Sequence, residues 1–114
     1  MSSKAEADPT EPIEIAEPAD LDDALSTYDI VLVDFYADWC GPCKMMEPIV
    51  ESIASDTDAV VVEVDVDRFQ HLASEHGVQG IPTLLLYSDG EVVERFVGAQ
   101  SEESLTTTIG AYTE

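Results

Sequence analysis

The sequence predicts an α/β protein whose mixed central sheet, of roughly four to five strands, is flanked on both faces by about four helices. Three observations carry this reading. Two nearly continuous β-branched runs, Ile30–Tyr36 and Val60–Val64, have the character of strands covered on both sides. A helical pattern lies between them, so strand, helix and strand form a unit with parallel strands and a right-handed crossover. Farther on, Asp89-Gly90 separates two more strand-like runs, a hairpin signal that adds antiparallel pairing.

Each element follows in order. Pro12-Ile13-Glu14-Ile15-Ala16 alternates and suits a short edge strand. Pro18 and Asp20 mark a helix start, and Leu21, Ala24, Leu25 and Tyr28 then share one helical face. Ile30–Tyr36 is the next strand, interrupted only by Asp34. Pro42 fits the first turn of the following helix, where its missing N–H costs nothing. Met46, Ile49, Val50 and Ile53 form that helix's inward stripe. Pro48 removes one backbone hydrogen bond and predicts a kink rather than an end, because the stripe continues beyond it. After Val60–Val64, a third helix places Phe69, Leu72, Ala73 and His76 on one face and closes at Gly77. Thr83–Tyr87 and Val92–Val97 form the hairpin. Ser101 caps a last helix with Leu105, Ile109 and Tyr112 inward. The predicted order is β-α-β-α-β-α-β-β-α. A single domain over residues 12–114 follows a flexible acidic tail at residues 1–11.

Composition bounds the function. At 114 residues the chain holds one hydrophobic core. Apolar residues make up 45% of it, which argues against disorder despite a net charge of −21. That charge repels phosphate, so neither nucleic acid nor an anionic membrane is an expected partner. Dense salt relieves the self-repulsion, since the Debye length falls to ~3 Å at 1 M. A salt-rich cytoplasm, as in a halophile, accounts for both the acidity and the scarcity of basic residues; the plainer alternative is an ordinary acidic cytosolic protein. Met1-Ser2-Ser3-Lys4 lacks the apolar core of a signal peptide, and no run reaches transmembrane length. A cytoplasmic monomer is expected. In that reducing setting a cysteine pair is catalytic or metal-binding more often than structural.

The two cysteines stand in Trp39-Cys40-Gly41-Pro42-Cys43, beyond the carboxyl end of a parallel strand, where open α/β sheets place their sites. A thiolate attacks disulfides and a thiol hardly does. Cys40 falls at the N-terminus of a helix, whose unpaired N–H groups and dipole favour negative charge by ~0.3–1 kcal/mol, up to about 2 when partly buried. Lys44 adds to this, and the protein's own negative field opposes it. One turn of helix brings the two sulfurs within bonding range. Cys40 is thus the expected nucleophile and Cys43, deeper in the helix and less exposed, the resolving thiol. Asp34 interrupts an otherwise apolar strand just upstream. Its burial would raise its pKa toward that of a general base for Cys43; the alternative is a strand-end aspartate facing solvent.

Taken together, Asp34, Trp39-Cys40-Gly41-Pro42-Cys43-Lys44-Met45, Pro48, Gly80-Ile81-Pro82-Thr83 and Val97-Gly98-Ala99 resemble the thioredoxin family. The similarity runs from about residue 13 to the end. The resemblance implies the thioredoxin fold and reduction of protein disulfides by dithiol–disulfide exchange. It implies no bound cofactor beyond the Cys40–Cys43 redox disulfide, with disulfide-containing target proteins and a thioredoxin reductase as partners. It further implies a cis peptide before Pro82 and a substrate hydrogen bond to the backbone of Ile81. Trp39, Gly41, Pro42, Ile81, Pro82, Gly98 and Ala99 would form a flat docking surface. Many family members carry a lysine where this chain has Glu63, so a second carboxylate is expected to push Asp34 further up or to share its proton.

Three other readings compete with this one. Cys40-x2-Cys43 with His71 and His76 loosely imitates a zinc-ligand spacing, but a helix and a core strand separate the pairs. A disulfide isomerase or oxidant on the same fold normally works outside the cytosol, and Gly41-Pro42 is typical of reductants. A non-enzymatic docking module keeps the fold without turnover.

Overall fold

A computed structural model of the chain describes residues 9–113. The first eight residues of the expected acidic tail lie outside the described residues. The elements are β1 (Ile13–Glu14), α1 (Ala19–Thr27), β2 (Ile30–Tyr36), α2 (Gly41–Asp56), β3 (Val60–Asp65), α3 (Gln70–Glu75), β4 (Thr83–Ser88), β5 (Glu91–Val97) and α4 (Glu102–Gly110). Their order matches the predicted one.

The five strands form one sheet in the order β1-β3-β2-β4-β5. β1 and β2 run parallel to β3, whereas β2–β4 and β4–β5 are antiparallel. The βαβ crossover makes β2 and β3 parallel neighbours, and the Asp89-Gly90 turn makes β4 and β5 antiparallel ones. Asp89 (φ 53°) and Gly90 (φ 85°) both adopt positive φ, as a tight hairpin turn with right-handed strand twist demands.

Side chains alternate across a strand, so the apolar runs feed two cores. On one face Val31, Val33 and Phe35 of β2 pack with Leu21 and Ala24 of α1 and Leu72 and Ala73 of α3. On the other, Ile30 and Leu32 pack with Met46, Val50 and Ile53 of α2 and Leu105 and Ile109 of α4. The strands needed near-continuous apolar sequence because both of their faces are covered. Asp34 has the parity of Leu32, which turns its carboxyl toward the α2 side.

α2 continues through Pro48, as the unbroken apolar stripe required. Ser101 caps α4 by accepting the Ser104 N–H at 3.0 Å. Tyr112 departs from expectation. It lies just past α4 and is exposed, with its hydroxyl donating to Glu94 at 2.9 Å instead of packing inward. The helical stripe ended one turn earlier than its spacing suggested.

Candidate active site

The β2 strand ends at Tyr36, and the loop from Ala37 to Cys40 delivers the cysteines to the start of α2. Cys40 is the N-cap of that helix: its backbone is extended, and its Sγ accepts the Cys43 N–H at 3.2 Å. Pro42 occupies the first turn, where its missing donor leaves no bond unmade. Cys40 and Cys43 are joined in a disulfide. The Cys43 N–H is therefore aimed at the Cys40 sulfur, an arrangement that favours negative charge on that sulfur once the pair is reduced.

The expected difference in exposure between the sulfurs is not found in this disulfide form. Both cysteines are 4% exposed. Cys40 Sγ turns back toward the protein, 3.9 Å from the Ile81 carbonyl oxygen, while Trp39, Gly41 and Pro42 around it are exposed. The asymmetry lies in surroundings: Cys40 faces the Ile81 loop, and Cys43 lines the cleft that holds Asp34.

The Ile81–Pro82 peptide bond is cis. The Gly98 N–H donates to the Pro82 carbonyl at 2.7 Å, which brings the β5 end beside the cysteine loop. Gln100 steadies that segment: its N–H meets Met46 Sδ at 3.3 Å, and its side-chain amide donates to the Gly98 carbonyl at 3.2 Å. Trp39 is 70% exposed and is oriented by an Nε1–H bond to Asp67 at 2.8 Å. Of the residues expected to form the docking surface, Trp39, Gly41, Pro42 and Ala99 are exposed and Ile81 and Gly98 half-buried. Pro82, expected on the same surface, is buried.

Behind the disulfide lies an acidic cleft of about 820 Å³ lined by Asp34, Glu63, Glu14, Glu47, Tyr36 and Cys43, among others, with no basic side chain among the described residues. Asp34 is 3% exposed, and its Oδ1 has no hydrogen-bond partner among the described residues. Burial, then the charges of Glu14 and Glu47, push its pKa up to about 7. Glu63 is pushed up to about 8 by burial, then by Asp34, Glu14 and Glu47. Lys44 is exposed at the α2 surface.

Sequence reasoning missed Glu14, Tyr36, Glu47 and Asp67. Tyr36 donates to Glu14 at 2.7 Å across the cleft. The one available signal was parity: Tyr36 lies two residues from Asp34 on the same strand and so shares its face.

Among the described residues no three His, Cys, Asp or Glu side chains are grouped to hold a metal ion. His71 pairs with Glu75 on the α3 surface, and the His76 ring packs against Phe35, so neither histidine approaches the cysteines.

The thioredoxin family model matches residues 12–111. The chain belongs to the thioredoxin family. A thioredoxin from Halobacterium salinarum NRC-1, solved as a point mutant, is similar with a TM-score of 0.92 and 55% identity, over 95% of this chain and 96% of that one. A thioredoxin from Mycoplasmoides gallisepticum is 45% identical over 85 residues, 74% of this chain and 85% of its own length. A bifunctional thioredoxin reductase/thioredoxin from Mycobacterium leprae is 43% identical over 95 residues, which cover 82% of this chain and 21% of that protein. As a thioredoxin-family member with a Cys40–Cys43 disulfide, the chain is a protein-disulfide oxidoreductase that works by dithiol–disulfide exchange. The family needs no bound cofactor, because the two sulfurs themselves carry the electrons.

Proposed function

We propose that this chain is a general cytoplasmic dithiol reductant, monomeric and adapted to high salt, recharged by a thioredoxin reductase. The observation that carries the reading is the position of Cys40, whose sulfur caps α2 and accepts the Cys43 N–H. In the reduced protein the Cys40 thiolate attacks a target disulfide. A bond forms between Cys40 Sγ and one target sulfur, and the other leaves as a thiolate. Cys43 then gives its proton to Asp34 and attacks Cys40 Sγ. The Cys40–Cys43 bond forms and the second target sulfur departs. Two electrons have passed to the target, whose thiolates take protons from water.

Asp34 suits the base because its raised pKa lies near the working pH, where proton transfer in either direction is inexpensive. The exposed Trp39, Gly41, Pro42 and Ala99 offer an uncharged face to an extended target segment, with the Ile81 backbone beside Cys40 available to pair with it. The net charge of −21 supports the exclusion of nucleic acid and anionic membranes. It also supports a salt-rich cytoplasm, as does the similarity to a Halobacterium thioredoxin. The Mycobacterium leprae relative, which by name joins both activities, supports a reductase as the electron donor.

Reduction of insulin disulfides with dithiothreitol as donor, in molar salt, tests the reading. Wild type should accelerate the reaction and Cys40→Ser should not; equal rates would leave only a docking role.

A further inference from the structure

Asp34, Glu63 and Glu14 occupy one rung of the sheet. Asp34 of β2 is the register partner of Glu63 of β3, and Glu63 is the register partner of Glu14 of β1. The three strands are parallel neighbours, so side chains at paired positions rise from the same face. All three line the cleft that also contains Cys43. Burial falls steadily along the row: Asp34 is buried, Glu63 half-buried and Glu14 exposed.

We propose that Glu63 and Glu14 form a carboxyl relay that carries protons between Asp34 and solvent. The inference rests on the reading of Asp34 as the base for Cys43. A base at 3% exposure, with an Oδ1 unpartnered among the described residues, must exchange its proton every cycle, and it meets solvent through the cleft. The carboxyl row supplies the route. Burial and the neighbouring carboxylates favour the protonated form of Glu63, and its register partner Glu14 stands beside it on the rung. Glu14 is fixed as acceptor by the Tyr36 hydroxyl at 2.7 Å.

The transfer balances. Once Asp34 has taken the Cys43 proton, the Glu63 carboxylic acid passes its own proton to the Glu14 carboxylate. Glu63 then accepts the proton of Asp34, and Glu14 releases one to water. The Asp34 carboxylate is restored and one proton has left. The reverse sequence returns a proton when the disulfide is reduced again. Glu47 and Glu51 of α2 and Asp38 of the cysteine loop also line the cleft. They add negative potential that draws protons toward it, but none lies on the rung.

The test is a rapid pH jump on the intact protein, with the loss of the Asp34 carboxylic-acid band followed by time-resolved infrared spectroscopy. Asp34→Asn identifies the band by removing it. Glu14→Gln can still accept the Tyr36 bond but carries no proton. It should slow loss of the band by at least about tenfold, and added imidazole should restore the rate. A purely structural effect would not be rescued by a buffer. An unchanged rate in Glu14→Gln overturns the relay and leaves Asp34 as base. If instead Asp34→Asn reduces insulin as fast as wild type, the base assignment fails, and the relay loses its catalytic role with it.

Discussion

Asp34 on β2 and Glu63 on β3 are register partners on adjacent parallel strands, both facing the cleft behind Cys43. Among the described residues no basic side chain lines that cleft, so a buried and a half-buried carboxyl meet there without a counter-charge from them. The arrangement is unfavourable for two carboxylates and tolerable for a pair that keeps a proton. The fold thereby accepts a local penalty in the cleft that Cys43 lines.

That penalty sets the sign of the pH dependence. Asp34 rises from 3.8 to about 7 on folding, so between those values the native protein holds a proton that the unfolded chain has released. Raising the pH through this window therefore lowers stability, by at most about 1.4 kcal/mol per unit for this group. Glu63 acts in the same direction, reduced by its partial exposure. Thermal melts in molar salt should show Tm falling as pH rises from about 5 to about 8. Asp34→Asn should flatten the slope and add about 2–4 kcal/mol near pH 8 while slowing insulin reduction. Parallel Tm–pH curves for the two proteins would contradict this.

The pair should also titrate as a pair. Insulin reduction by wild type is expected to follow two ionisations, both raised above the ordinary carboxylate range by burial and mutual repulsion. Glu63→Gln removes one carboxyl and should leave a single step. Superimposable profiles would show that Glu63 does not act on Asp34.

Division of labour between the cysteines predicts a trapping result. Cys43→Ser leaves the attacking sulfur but nothing to close the ring, so mixed disulfides with targets should accumulate on non-reducing gels. Cys40→Ser should give none. Equal trapping by both variants would remove the assignment of Cys40 as attacker.

The charge of −21 predicts dependence on salt. At 0.01 M ionic strength the carboxylates repel over about 30 Å, and at 1 M over about 3 Å. Tm should rise steeply across this range. A flat response would remove the inference of adaptation to a salt-rich cytoplasm.

Much of this architecture was legible because its signals were local. The β-branched run Ile30–Tyr36 is one continuous strand, the Asp89-Gly90 turn has the required positive φ values, and the Cys40 cap follows from chain position alone. What escaped were contacts between distant segments. A two-residue strand such as Ile13–Glu14 carries too little pattern to reveal its register, so Glu14 gave no sign of joining Glu63. Asp67 gave no sign of holding the Trp39 ring, because only folding brings α3's approach beside the cysteine loop. The burial of Cys40 in the disulfide form has a related origin: the Ile81 carbonyl, far away in sequence, lies 3.9 Å from its sulfur.

The most direct measurement is the pH dependence of alkylation of each thiol in the reduced protein, resolved by peptide mapping. Cys40 should react quickly, with a midpoint well below the ordinary cysteine value of ~8.5, while Cys43 reacts slowly throughout. Two thiols of equal, slow reactivity, both titrating in the ordinary range, would contradict the account.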